Sequence, residues 1–229
     1  MKWAACFILS VITAMGCSRK EQVPKVSREE WAEVQSHFPF DGKNPESLIR
    51  FLRTEQGESI MSRRLLMLFS DRGIAVLRGA TRVEASRIVD PEWHPEVRSR
   101  FGSIEGYPII ARGKDLGTAT VAAKTADSLL DGKLYFISLD CLPDPGVALL
   151  FRSDKGSVTL IVCYECNQFD VYVRDGSGSL VHRGYSYFWN PLGGPVELVR
   201  LAKAAFPEDQ AILRLKEETK QFVAVDLDN

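Results

Sequence analysis

At 229 residues and 45% hydrophobic content, the chain is long enough to bury a substantial core, as one domain or as two small ones. Its 29 basic and 30 acidic residues are interspersed and leave a net charge of −1. That balance argues against a nucleic-acid footprint and against a polybasic membrane surface.

The chain starts with a targeting pattern. Lys2 supplies a minimal positive region, and Trp3–Ala14 is an apolar run too short for the roughly 20 residues that a membrane span needs. Ala14-Met15-Gly16-Cys17 then has the form of a lipobox, with Ala14 where Leu is usual. Residues 1–16 are therefore expected to be a lipoprotein signal peptide, and cleavage before Cys17 would leave a cysteine carrying acyl chains. Several chains on one residue hold a membrane far better than one does. The alternative is an ordinary secretory signal with an incidental Cys17. Ser18 after the cysteine, rather than Asp, resembles the outer-membrane sorting pattern. Residues 17–26 are polar, carry one Pro and read as a tether.

Residues 27–90 read as a helix pair followed by a β-meander. Ser27-x-x-Glu30 is a capping box, followed by a stripe of Trp31, Val34 and Phe38. Asn44 and Pro45 start a second helix that Gly57 is expected to end. The apolar runs Leu65–Phe69, Ile74–Leu77 and Val83–Val89 are read as strands, with a turn at Ser70-Asp-Arg-Gly73. The Pro- and Gly-bearing stretch Asp90–Gly106 is the best candidate for a domain boundary. Residues 107–220 then form an α+β region, and 27–220 as one continuous domain is the other possibility. Within it Tyr107–Ala111 is a short strand, Thr118–Leu130 a helix, and Leu134–Leu139 a strand. Val196–Phe206 is a helix with a Leu198, Leu201, Ala202 and Ala205 stripe. Glu208–Lys220 reads as one more helix.

The central stretch is a meander. Val147–Arg152 and Val158–Cys163 flank Ser153-Asp-Lys-Gly-Ser157, which has turn chemistry, and Arg152 is expected opposite Val158. Phe169–Val173 alternates with period two, and Leu180–Gly184 follows the turn Gly176–Ser179. Two cysteines three apart in an unbroken strand are about 10 Å apart on opposite faces, beyond the roughly 7 Å between Cα atoms that a disulfide allows. Cys163 and Cys166 can thus meet only if the chain turns between them, and the parity change in the apolar pattern fits a bulge equally well. Cys6 leaves with the signal and Cys17 carries lipid, so Cys141, Cys163 and Cys166 remain as disulfide candidates, gathered at one end of the meander. An odd count leaves one bond with a spare thiol, an intermolecular bond, or a metal.

The pattern Cys141-x-Pro143, Gly146-Val147 and Ile161-Val-Cys-Tyr-Glu-Cys-Asn167, with a late helix ending at Phe206-Pro207, resembles a group of uncharacterised bacterial lipoproteins over about the second half of the chain. The resemblance implies an envelope location and brings no activity with it. Asp144-Pro145 departs from the basic residue that relatives carry after the Pro.

Other chemistry weighs less. A redox Cys-x-x-Cys needs a helix N-terminus to lower its thiol pKa, and strand follows this one. A zinc site of Cys141, Cys163, Cys166 and His182 is a weak alternative, because the hairpin places His182 nearer Tyr172. Glu165 has no second carboxylate or His beside it. His37 and His94 read as helix-end and loop residues. Tyr185–Pro191 is either a loop packed on the sheet or a surface that stacks on a sugar or peptide. There is no phosphate loop and no His-Glu-x-x-His. The expectation is an α+β fold of antiparallel meanders packed against amphipathic helices. It would be a lipid-anchored protein on the periplasmic or outer-membrane face, membrane-bound through Cys17, with another envelope protein as a candidate partner, no cofactor or nucleic acid, and the role of a binding or structural module held by a structural Cys cluster rather than of an enzyme. A thiol-disulfide or zinc-handling protein using Cys163 and Cys166 is the alternative.

Overall fold

One antiparallel sheet collects every strand in the computed structural model, which describes residues 27–30, 32, 50–51, 53–117, 119–131, 146–164, 168–187 and 196–215. Helix α1 (Glu55–Arg78) leads into β1 (Arg82–Ile88), β2 (Ser103–Ile104) and β3 (Tyr107–Arg112). After α2 (Ala119–Leu129) come β4 (Val147–Ser153), β5 (Gly156–Cys163), β6 (Gln168–Asp175) and β7 (Leu180–Tyr187). Helix α3 (Val196–Ala205) and the single turn α4 (Gln210–Leu213) complete the order. The strands run β2-β3-β1-β4-β5-β6-β7. The fold is α+β, with the helices packed on one face of a curled sheet. No helix among the described residues is long and apolar enough to cross a membrane.

The register explains the apolar pattern. Val83, Phe151, Val158 and Val173 lie in successive strands as one cross-strand row, and Ala85, Leu149, Leu160 and Val171 form the next. Cys163 is opposite Gln168, so the chain reverses between them and even positions of β5 face odd positions of β6. The parity change therefore comes from a hairpin, the turn alternative rather than the bulge. The hairpin before it is tighter than the sequence suggested. Ser153 pairs with Gly156, so the loop is Asp154-Lys155 and Arg152 is opposite Ser157, not Val158. Gly156 enables this with φ +138°, and a Cβ there would lie 2.1 Å from the Arg174 carbonyl oxygen. The one-residue correction matters because it lets Phe151 face Val158 inside the core while Arg152 faces out.

The largest correction concerns residues 65–77, which are helix rather than two strands. The buried positions Ile60, Met61, Leu68, Phe69, Gly73, Val76 and Leu77 recur at three- and four-residue spacing, and Thr54 caps the start by accepting from the Gly57 amide at 3.1 Å. Gly57 thus lies in the first turn of α1 instead of ending a helix. Ser70-Asp-Arg-Gly73 does interrupt the backbone, but inside the helix. Ser70 has φ 58° and ψ 166°, and its Oγ accepts from the Gly73 amide at 3.4 Å, restarting the helix as a new N-cap.

Helix α1 lies across β4 to β7, and α2 packs on α1 and β1, with α3 against α2. Phe69, Phe151, Phe169, Leu77, Leu129 and Leu149 fill the space beneath them. Across the segment Asp90–Gly106, β1 before it pairs with both β3 and β4 after it. The expected helix Glu208–Lys220 is also shorter: Asp209 caps it and Arg214 ends it. The capping box holds, with the Ser27 amide donating to Glu30 at 2.8 Å and the Glu30 amide to Ser27 Oγ at 3.1 Å. The expected strand 134–139 lies outside the described residues.

Candidate functional site

Of the cysteines, Cys163 alone is described; Cys17, Cys141 and Cys166, together with Glu165 and His37, fall outside the described residues. Cys163 ends β5 at 1% exposure, so on its own it presents no open nucleophile. Opposite it Gln168 is also buried, and its amide oxygen has no hydrogen-bond partner among the described residues. His182 is not available to Cys163. It stands opposite Val173, five residues along β6 from Gln168, a separation of about 16 Å at strand spacing. The two side chains also take opposite faces, and the His182 Nε2 meets the Leu68 carbonyl oxygen at 3.0 Å beneath α1. Among the described residues no group of three His, Cys, Asp or Glu side chains is placed to hold a metal. His94 is a loop residue, as expected, with Nδ1 3.6 Å from Glu96. Gly176–Ser179 is a turn organised by Asp175, whose Oδ1 accepts from the Ser177 and Ser179 amides.

The sheet's other face is where polar and aromatic groups converge. Alternation sends Asp170, Tyr172 and Arg174 of β6, and Arg183 and Tyr185 of β7, away from the helices. Asp170 is opposite Tyr185, and Tyr172 is opposite Arg183. Arg183 donates to Asp170 Oδ2 at 3.1 Å and lies over the Tyr172 ring at 4.9 Å. A small apolar cluster of Ile88, Ile109, Ala148, Ile161 and the buried Tyr172 lies on this face. Burial, and then the Asp170 carboxylate, push the Tyr172 hydroxyl up to about 12. The same causes, in the same order, raise Tyr107, which arrives from β3. Both phenols therefore stay neutral, able to donate as well as accept.

A bulge bends the sheet over this face. Arg87 pairs with Ala111 but Ile88 pairs with Ile109, so Ile110 is extruded and 38% exposed. The β2–β3 hairpin reaches across to β6 as a strap. Glu105 at its tip adopts φ 51° and grips Arg174 with both oxygens, at 2.9 and 2.6 Å. An open depression of about 300 Å³ is lined by Asp170, Arg183, Gly184 and Tyr185. Tyr185, on β7, is 54% exposed; residues 188–191 fall outside the described set.

The comparisons with known proteins give no family. No family model matches the chain, and neither a curated protein nor a solved structure is similar to it. The site therefore rests on its own geometry. Sequence reasoning missed Asp170, Tyr172, Arg183, Tyr107 and the Glu105–Arg174 clasp. The signal for the first two was Phe169-Asp-Val-Tyr-Val173 itself: a strand whose Val positions face the core presents Asp and Tyr together on the other side.

Proposed function

We propose that this chain is a lipid-anchored protein of the cell envelope that acts as a binding module, with Cys17 as the acylated residue and the open sheet face as its ligand surface. The lipobox and the Cys-Tyr-Glu-Cys resemblance support the address. The observation that carries the binding reading is the Asp170–Arg183–Tyr172 constellation beside the exposed Tyr185, a charged pair and aromatic rings held rigid on adjacent strands. Concave sheet surfaces with a few fixed polar groups select ligands without needing a reacting centre. The address is tested by growing a bacterial host on an alkyne-bearing palmitate. The wild-type chain is expected to take up label and partition with membranes, and Cys17→Ala to do neither. Unlabelled wild-type chain recovered in the soluble periplasmic fraction would refute the anchor.

A further inference from the structure

The chain that carries the lipid attachment site joins the fold beside β7. Ser27–Glu30 is the first stretch after the tether, and Arg63 Nη1 donates to Glu30 at 3.0 Å, which pins that stretch to α1. Five residues further along α1, a rise of about 7.5 Å, the Leu68 carbonyl oxygen meets the His182 ring of β7 at 3.0 Å. The tether therefore leaves the fold on the β7 side, at the end of the sheet opposite β2. Residues 17–26 separate the acylation site from Ser27. Fully extended they reach about 35 Å, and as a loose coil about 18 Å. The side of the fold that holds Ser27 is thus kept towards the bilayer. Arg19, Lys20 and Lys25 against Glu21 give the tether a net positive charge, which an anionic leaflet attracts.

That side presents an apolar tip. Strand β7 is the last of the sheet, and no strand among the described residues pairs along its outer side. Leu180 and Val181 open it, 49% and 47% exposed. Leu180 is opposite Arg174 and His182 is opposite Val173, so Val181 is the extra residue of a bulge and takes no partner in β6. A second copy pairing edge to edge needs a regular row of donors and acceptors, and the bulge interrupts that row. A bilayer needs no register. Its headgroup layer hydrogen-bonds the free backbone groups of an edge strand, whereas the hydrocarbon core cannot. Contact is therefore limited to two side chains dipping below a strand that stays at headgroup level.

We infer that Leu180 and Val181, at the start of β7, rest on the bilayer that holds the acyl chains of Cys17, so that the anchor fixes the orientation of the fold as well as its address. This contact rests on the anchor proposed above and adds the surface that meets the membrane.

The test uses the mature acylated chain in vesicles of phosphatidylethanolamine and phosphatidylglycerol. The photoreactive residue p-benzoylphenylalanine replaces Val181, Leu180 or, as the reference, Ile110, which is 38% exposed on β3 near the other end of the sheet. Two positions at the tip ensure that bulk at one of them does not decide the matter. Irradiation is expected to give lipid adducts at Val181 and Leu180 at least about fivefold above those at Ile110, read by mass spectrometry of the intact chain. Equal lipid yields at the three positions overturn the contact. So do adducts between two protein chains at the tip, which would assign the edge to a second copy. Palmitate labelling is read separately. A labelled chain without lipid adducts refutes the contact and leaves the anchor, whereas a chain that takes up no palmitate removes both.

Discussion

Gly184 is the tightest point between β7 and the helical layer. A Cβ built there would lie 2.2 Å from the Leu68 carbonyl oxygen, a backbone atom with no side-chain freedom to retreat. That same oxygen meets the His182 ring, and Leu68 precedes the break at Ser70 by two residues. The glycine thus lets the interrupted helix settle onto the edge strand. Gly184→Ala is expected to cost about 3 kcal/mol, at the upper end of overpacking penalties. Gly176→Ala is the control, because its nearest neighbour is the Asp154 carbonyl oxygen at 4.0 Å; it should stay within about 0.5 kcal/mol of wild type. Urea unfolding midpoints measure both, and equal midpoints for the two variants would mean that β7 and α1 do not meet as described.

At the scale of elements, the strap and the broken helix are the two features that shape the open face and the helical layer behind it. Glu105 is 6% exposed and Arg174 is 35% exposed, so the pair is shielded but not sealed. Removing either partner should cost about 2 kcal/mol, typical of a charge-assisted hydrogen bond lost in a partly buried place. Because both act through one contact, the Glu105→Ala/Arg174→Ala double variant should cost little more than either single change. Additive losses in denaturant titrations would show that the clasp does not exist. The break in α1 makes a different prediction. Ser70 holds a φ of 58° with ψ 166°, a region that glycine tolerates and serine does not, at a cost of about 1–3 kcal/mol. Ser70→Gly sacrifices only a long capping bond, worth a few tenths, and should raise the unfolding midpoint by about 1 kcal/mol equivalent. Ser70→Val should lower it.

These elements also show what the sequence made legible. The hairpins were readable because Val147–Arg152 and Val158–Cys163 are short apolar runs, Phe169–Val173 alternates with period two, and Asp-Lys-Gly and Asp-Gly turns follow. Residues 65–77 were misread because Leu65-Leu-Met-Leu-Phe69 is apolar throughout, hiding its period, and Ser70-Asp-Arg-Gly73 resembles a hairpin turn. The residue types themselves favoured helix, since Leu and Met are strong helix formers and the run holds no β-branched residue. Asp170 and Tyr172 could be placed on one face from alternation alone. Glu105 could not be matched to Arg174, 69 positions away, because the contact joins strands that are not neighbours in the sheet and no local pattern announces it.

For the molecule as a whole, the acid–base balance sets a window of stability. Arg63 beside Glu30 holds that carboxyl at about 2, aided by the Ser27 amide. The Ser177 hydroxyl lowers Asp175. Burial pushes Glu197 up, but Lys124 and Arg200 more than reverse it. Burial likewise opposes ionisation of Asp209, yet the Ile212 amide and Arg87 win. A carboxyl depressed in the folded state contributes stability that is complete above its unfolded pKa, near 4, and is lost as pH falls through the folded value. All four therefore act in one direction below about pH 4. The phenols act at the other end: burial raises Tyr164 and Tyr172 sits at about 12, so unfolding releases protons more readily and stability falls as pH rises from about 10 towards 12. The melting temperature should hence be level between about pH 5 and pH 9 and decline on both sides. Asp209 joins α4 to β1 through its 2.8 Å pair with Arg87, so Asp209→Asn should lower the plateau and flatten the acid limb, while the alkaline limb stays in place. Thermal melts followed by circular dichroism across this range decide the matter: an acid limb equally steep in Asp209→Asn would assign the loss to other carboxylates, and a curve level down to pH 2 would contradict all four.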